Sequence, residues 1–181
     1  MMEIQSPFNE TYSDYEINYG TINYRDKIVL DLGADRGSTA SFFLAKGARK
    51  VIAVEGNRVL ARELRAECEK PQWKDLIVPI ELWIDEPADI ENLITTYKPD
   101  VVKSDIEHWE ILFLDCKPDV LRNVREYVME IHEQEKQRKL VQWFTSIGYE
   151  SILIRSYDWT HVSGYVRNRI SLYYFQGSGV M

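Results

Sequence analysis

From Lys27 onward the chain alternates short β-branched apolar runs with stretches of helical period. This alternation constrains the fold most, because strands separated by amphipathic helices line up in parallel and bury both faces of one sheet. Ile28-Val29-Leu30 is the first run. Residues 38–46 follow with helical spacing, and Gly47 stands where a helix C-cap belongs. Val51-Ile52-Ala53-Val54 is the second strand, and residues 58–70 repeat the helical period through Val59, Leu60, Leu64 and Cys68 until Pro71 closes them. Residues 77–83 read as a third strand, with Pro79 marking an edge position or a bulge. The next helix starts with Asp85 or Glu86 as cap and Pro87 in its first turn, and runs to Pro99. Residues 101–106 are strand four, 109–114 a short apolar helical piece, and 127–131 strand five. Residues 133–147 form an amphipathic helix ended by Gly148.

The tail departs from this rhythm. Residues 149–156 and 165–175 are strand-like and joined by a polar loop too short for a crossover helix, so they should pair antiparallel. The expectation is a doubly wound α/β domain over residues 28–181. Its sheet is mostly parallel, of about seven strands, and ends in a C-terminal antiparallel hairpin. Residues 1–27 read as an extension, or as a β-ribbon through Tyr15-Glu16-Ile17 and Thr21-Ile22-Asn23-Tyr24.

Composition narrows the partners. With 45% hydrophobic residues the 181-residue chain can bury one sizeable core, and its net charge of -7 gives no general pull toward nucleic acid or anionic lipid. The charge is uneven, about -8 through Lys117 and +1 beyond it, so an anionic partner would meet the C-terminal third. Cys68 and Cys116 lack the spacing of a metal knuckle or a redox pair and read as small buried hydrophobes. No apolar run approaches the roughly 20 residues of a membrane helix. The polar N-terminus has no leader pattern, so a soluble, cytoplasmic protein is expected.

Chemistry concentrates at strand ends. Asp31-Leu32-Gly33-Ala34-Asp35-Arg36-Gly37 runs from strand one into a helix N-terminus, where doubly wound sheets bind ligands. Gly33 and Gly37 let backbone approach a ligand, and the N–H groups of Gly37, Ser38 and Thr39 favour a carboxylate or phosphate. Strand two ends in Glu55, suited to accept from both hydroxyls of a ribose, with Gly56 and Asn57 after it. An adenosine-type cofactor fits these features. A nicotinamide dinucleotide does not, since Gly33 and Gly37 are four apart without the G-x-G-x-x-G spacing.

By period two, Lys103, Asp105 and Glu107 share one face of strand four, and Glu130 and His132 one face of strand five. Were the two strands neighbours, these groups would converge, and such a cluster could deprotonate a hydroxyl or bind a divalent cation. Asp105 is the first choice as base or ligand, with Glu107 beside it and His132 as a second base; Lys103 would orient a carboxylate. Plainer readings exist: Asp105 and Glu107 as helix caps, His132 and His108 as structural histidines, and Asp85 as a cap instead of an adenine contact. Tyr157-Asp158-Trp159-Thr160-His161 could cover a substrate, pack on the sheet or meet a second subunit.

The segment from Asp31 to Gly37, with Lys46-Gly47-Ala48-Arg49-Lys50-Val51-Ile52-Ala53-Val54-Glu55, resembles the S-adenosylmethionine site of class I methyltransferases. The FkbM-type subgroup is the most similar. Its strand-four motif, K-I-D-x-E-G-x-E, is matched by Lys103-Ser104-Asp105-Ile106-Glu107-His108-Trp109-Glu110 at four of five distinctive positions, and Met129-Glu130-Ile131-His132 is similar to its strand-five end. Asp35 stands where the family has Asn, a negative charge near the cofactor's carboxylate for Arg36 to offset. His108 stands where the family has Gly, which predicts a different backbone turn.

The resemblance implies a Rossmann-like methyltransferase fold, S-adenosylmethionine as cofactor with Asp31, Gly33, Ala34, Asp35, Gly37, Ser38, Glu55, Gly56, Asn57 and Asp85 around it, and O-methylation of a small hydroxylated acceptor such as a sugar. Two alternatives stand beside it. One is methylation of RNA or protein; the other is a degenerate donor-binding or interaction domain without catalysis. No metal requirement and no oligomeric state follow from the sequence.

Overall fold

In a computed structural model the described residues are 13–160 and 167–178. Their order is α1 (Ser13–Tyr19), β1 (Ile28–Leu32), α2 (Ser38–Ala45), β2 (Lys50–Glu55), α3 (Arg58–Cys68), β3 (Ile77–Glu81), α4 (Pro87–Tyr97) and β4 (Val101–Ser104). A 3-10 helix (Trp109–Asp115), α5 (Pro118–Leu121), β5 (Glu126–His132), α6 (Gln134–Ser146), β6 (Tyr149–Thr160) and β7 (Arg167–Gly177) complete it. The seven strands form a mixed sheet in the order β3-β2-β1-β4-β5-β7-β6. β1, β2 and β3 pair in parallel, while β7 pairs antiparallel with both β5 and β6. The expected α/β architecture with its terminal antiparallel pair is the observed one.

The chain divides into two compact units. The first is the chain through Trp83 together with Pro99–Val102; the second is Ile84–Lys98 together with the chain from Lys103 onward. In the first unit, Val29, Leu30, Leu32, Val51, Ile52 and Val54 are buried at 1% exposure or less, as strands covered on both faces require. The rings of Tyr15, Tyr19, Tyr24, Phe42 and Phe43 pack against one another beside them. Asp100 anchors the start of β1 twice, accepting from the Ile28 N–H at 2.9 Å and donating its own N–H to the Ile28 carbonyl at 2.9 Å. Pro79 lies in β3 at the sheet edge, where a missing N–H is tolerated.

The second unit is centred on Phe113, Tyr127, Phe144, Tyr149 and Phe175, with neighbouring rings 4.5 to 6.1 Å apart. The two buried phenols keep partners: Tyr127 donates to the Leu121 carbonyl at 2.8 Å, and Tyr149 reaches Leu121 at 2.7 Å and Val124 at 2.5 Å. α6 buries Gln137, Leu140 and Phe144, and Trp143 donates its indole N–H to the Phe113 carbonyl at 3.0 Å.

The structure corrects three expectations. Residues 13–19 are helical, so Tyr15-Glu16-Ile17 is not a strand and no ribbon forms with residues 21–24. Three alternating residues are too few to set a period, and the aromatic contacts of Tyr15 and Tyr19 with Phe42 and Phe43 fix the helix instead. β3 ends at Glu81 and does not reach Trp83. β4 ends at Ser104, so Asp105 and Glu107 leave the strand and its period-two face. The segment from Tyr157 to Thr160 continues β6 as backbone, paired with residues 167–170; what its side chains cover, and His161, lie outside the described residues.

Both cysteines are buried and unpaired in a disulfide. Burial, with the neighbouring Glu67 charge, pushes the Cys68 thiol up to about 11; burial, with Glu91 and Asp115, pushes Cys116 up to about 12. A raised thiol stays protonated until the pH reaches its new value, so the reactive thiolate is scarce at neutral pH. We expect an aromatic disulfide reagent at pH 8 to titrate no thiol in the native chain and both in guanidinium; rapid native labelling at either position would contradict this.

Candidate functional site

In the first unit the loop after β1 is held by the strand beside it. The N–H groups of Gly33 and Ala34 both donate to the Val54 carbonyl at 3.0 Å, and the Gly37 N–H donates to the Ala34 carbonyl at 2.8 Å. Gly37 therefore has no free donor to offer, contrary to expectation. Ser38 and Thr39, as the first two residues of α2, have no carbonyl a turn behind them to bond. Gly33 (φ 76°) and Gly37 (φ 99°) both occupy backbone regions that side chains resist, and a Cβ at Gly37 would lie 2.9 Å from Leu64 Cδ1. Asp35 (φ 49°) is also left-handed, which Asp tolerates better than most residues.

Glu55 is 9% exposed, and its carboxylate is clamped from two sides. Oε2 accepts from the Asp35 N–H at 2.8 Å and Oε1 from the Asn57 N–H at 2.7 Å. Each oxygen retains a second lone pair, so a clamped carboxylate can still accept from two further donors. Asn57 contributes through its backbone. Its side chain is the N-cap of α3, accepting from Val59 N–H at 2.9 Å and Leu60 N–H at 3.4 Å, which places it as a capping residue. Gly56 lies against Trp83: a Cβ there would sit 2.8 Å from Trp83 Cε3 and 3.1 Å from its Cα. Trp83 is 59% exposed. Sequence reading missed it, because a single tryptophan after a strand carries no periodic or spacing signal.

Asp31 is fully buried and accepts from the Thr39 hydroxyl at 2.5 Å, tying the end of β1 to α2. The Asp35 carboxylate is exposed and has Arg36 Nη1 at 3.5 Å, with Arg36 also held by Glu63 at 2.5 Å, so a basic group does stand beside it.

In the second unit, His132 at the end of β5 is 6% exposed at its side chain. Its Nε2 lies 3.5 Å from Glu107 Oε2, and its Nδ1 3.4 Å from Oε1 of the fully buried Glu110. Oε1 of Glu110 also accepts from the Ile106 N–H at 3.1 Å. Burial alone would pull the imidazole pKa down; the Glu110 contact and the charges of Glu110, Asp105 and Glu107 outweigh it and push it up to about 9. At neutral pH this imidazole holds a proton, so it is not the free base expected of it. One ligand atom each from Asp105, Glu107 and His132 fall within 4.8 Å of one another. Lys103 and Ser104 are buried at the end of β4. Asp85 also belongs to this unit; it is exposed just before α4, its N–H donates to Asp89 at 3.3 Å, and Glu86 takes the cap position.

Glu107 (φ 49°) and His108 (φ 80°) are consecutive left-handed residues. The turn thus forms without the glycine, at the conformational cost of a side chain there, and it carries Glu107 beneath the imidazole.

No family model matches the chain. Among curated proteins it is similar to an uncharacterized protein, 158B, of Sulfolobus islandicus rod-shaped virus 1, 39% identical over 44 residues; the match spans 24% of this chain and 28% of that protein. Solved structures resemble it over most of its length. The precorrin-6y C5,15-methyltransferase of Geobacter metallireducens GS-15 has a TM-score of 0.60 at 17% identity, covering 85% of this chain and 81% of that one. The M. jannaschii protein TYW2, solved in complex with AdoMet, scores 0.56 at 17% identity, covering 90% and 74%. The M. jannaschii tRNA m1G37 methyltransferase scores 0.61 at 13% identity, and the chain spans 93% of itself but half of that protein. At these identities the likeness establishes a Rossmann-like methyltransferase fold. No described helix is long and apolar enough to cross a membrane.

Two glycine-type positions give opposite expectations. Gly37→Ala should lower stability by about 1–2 kcal/mol, while His108→Gly should raise it by up to about 1 kcal/mol, its exposed contact with Glu133 being worth little. Urea unfolding of both variants reads the two signs; a stabilising Gly37→Ala would mean that the loop does not need its left-handed turn.

Proposed function

We propose that the chain is an S-adenosylmethionine-dependent methyltransferase. The single observation that carries this is the Glu55 carboxylate, fixed by two backbone N–H groups with a lone pair left on each oxygen, next to a glycine turn that opens a helix. A cis-diol presents two donors at matching spacing, so a ribose is the natural guest of a carboxylate held this way. The exposed Trp83, packed on Gly56, offers an aromatic face for the base beside it. The N–H groups of Ser38 and Thr39 favour the carboxylate of the amino-acid portion. When bound, the donor supplies a methyl group on a positively charged sulfur. The likeness to methyltransferase structures, one of them solved with AdoMet, supports the same reading.

Methyl transfer to a hydroxyl forms an O–C bond as the C–S bond breaks, and the hydroxyl proton must go to a base. Asp105 and Glu107 are the candidate carboxylates for that role, and the raised pKa of His132 makes its imidazole the weaker candidate. A small hydroxylated acceptor, such as a sugar, suits the chain's net charge of -7 better than a polyanion does. The tRNA methyltransferase among the similar structures favours a second reading, methylation of RNA. Activity on a small acceptor that is indifferent to salt separates the first from the second.

Calorimetric titration with S-adenosylmethionine and S-adenosylhomocysteine, with a nicotinamide dinucleotide as control, tests the donor. Binding of the first two alone is expected, weakened at least tenfold in Glu55→Ala and by a smaller factor in Trp83→Ala. Full retention of affinity in Glu55→Ala would overturn the placement.

A further inference from the structure

Buried polar atoms normally find a partner, and a place where several do not points to a missing ion or water. Ser104 Oγ, Asp105 Oδ1 and Glu110 Oε2 are buried without a hydrogen-bond partner, at the end of β4, in the turn after it and in the first turn of the 3-10 helix, beside His132 at the end of β5. Ser104 and Glu110 are fully buried, and His132 is 94% buried at its side chain. Three carboxylates, those of Asp105, Glu107 and Glu110, act electrostatically on the one imidazole. Such a nest of acceptors calls for positive charge.

We infer that Asp105, Glu107 and Nε2 of His132 form a binding site for one divalent transition-metal ion, which displaces the Nε2 proton to solvent as it binds, with Glu110 holding the imidazole from behind. The three ligand atoms already lie within 4.8 Å of one another. On an ion with bonds near 2.1 Å adjacent ligands stand roughly 3.0 to 3.4 Å apart, a spacing that Nε2 of His132 and Oε2 of Glu107, at 3.5 Å, nearly meet, so the atoms must close by about an ångström or less at most of the pairs. The Glu107 side chain, 80% exposed, is free to supply it.

The Glu110 geometry matches what a metal-binding histidine needs. Its Oε1 is fixed by the Ile106 N–H and faces Nδ1, which leaves Nε2 turned toward Glu107. A carboxylate behind an imidazole sets its tautomer and orientation and raises its basicity as a ligand. Two carboxylates and one imidazole neutralise a dication and leave coordination positions open for oxygen atoms of another molecule, the arrangement of catalytic rather than structural metal sites. The imidazole nitrogen favours Mn²⁺ or Zn²⁺ over Mg²⁺ or Ca²⁺. Two basic neighbours are already engaged: His108, with its ring 4.8 Å from that of His132, contacts Glu133 at 3.3 Å, and Lys136 contacts Glu133 at 3.2 Å. The site as such stands apart from the donor reading; only the further step, that the ion would bind and acidify an acceptor hydroxyl, rests on it.

Titration of the full chain, treated with chelator and then dialysed, with Mn²⁺ followed by the paramagnetic resonance of the free ion tests the proposal. One saturable site is expected, displaced by Zn²⁺ and retained against a tenfold excess of Mg²⁺. Glu107→Gln, at an exposed position that leaves folding intact, and Asp105→Asn should each lose at least tenfold in affinity. Glu110→Gln should lose 10–100-fold while keeping the native circular dichroism. Glu135→Gln, an exposed carboxylate on α6, should bind as the unaltered chain does. Absence of saturable binding, or equal loss in Glu135→Gln, overturns the site, and displacement by equimolar Mg²⁺ overturns the assignment to a transition metal. S-adenosylmethionine titrated separately in the presence of chelator keeps the two readings distinguishable: Mn²⁺ binding without donor binding sustains the site and sinks the donor, and the converse does the reverse.

Discussion

The carboxylate of Glu55 organises the first unit's loops. Two N–H groups that a strand end would leave to solvent, those of Asp35 and Asn57, both point at it, so the loop after β1 and the entry to α3 are tied to one side chain. Hydrogen bonds to a charged acceptor are stronger than neutral ones, and at 9% exposure water competes weakly for these. The left-handed conformation of Asp35 follows from this, because its N–H must turn inward to meet Oε2. Glycine at positions 33 and 37 then absorbs the rest of the turn.

The second unit solves a harsher problem. Glu110 is wholly buried, and a buried carboxylate without a partner is costly. The imidazole of His132 supplies the partner, and the negative charges around it make the ring more basic despite its burial. Burial and charge pull in opposite directions here, and charge wins because three carboxylates act on one ring. A site arranged this way holds positive charge steadily, which suits binding and orientation better than shuttling protons near neutral pH.

Most of the architecture could be read from the chain because it rests on repeated signals: apolar runs such as Val51-Ile52-Ala53-Val54, glycine stops at Gly47 and Gly148, and Pro79 demoting its strand to an edge. Failures arose where one or two residues decide. Period two placed Asp105 and Glu107 on a strand that had already ended at Ser104, since nothing in the sequence marks a strand's last residue when polar side chains continue. The grouping with His132 survives for a different reason, a left-handed turn at Glu107 and His108. Asn57 carried a legible capping signal, with Val59, Leu60 and Leu64 just beyond it, yet its place beside Glu55 suggested a ligand contact. Glu110 matched the family motif but its burial, and with it the protonation of His132, depends on packing that no local pattern encodes.

The ends of the sheet show how the fold manages its open sides. β3 and β6 are the outermost strands, and an outer strand offers free backbone groups to any extended chain that drifts past. Pro79 removes a donor from one margin, and the irregularity between Leu153 and Arg155 breaks the ladder at the other, where Ile152 and Leu153 are both exposed. β3 is a short edge of five residues, and β6, at twelve, is long but interrupted by that irregularity. The same two blemishes that cost the sheet a little regularity thus bear on how concentrated a solution of this protein can become before its chains find one another.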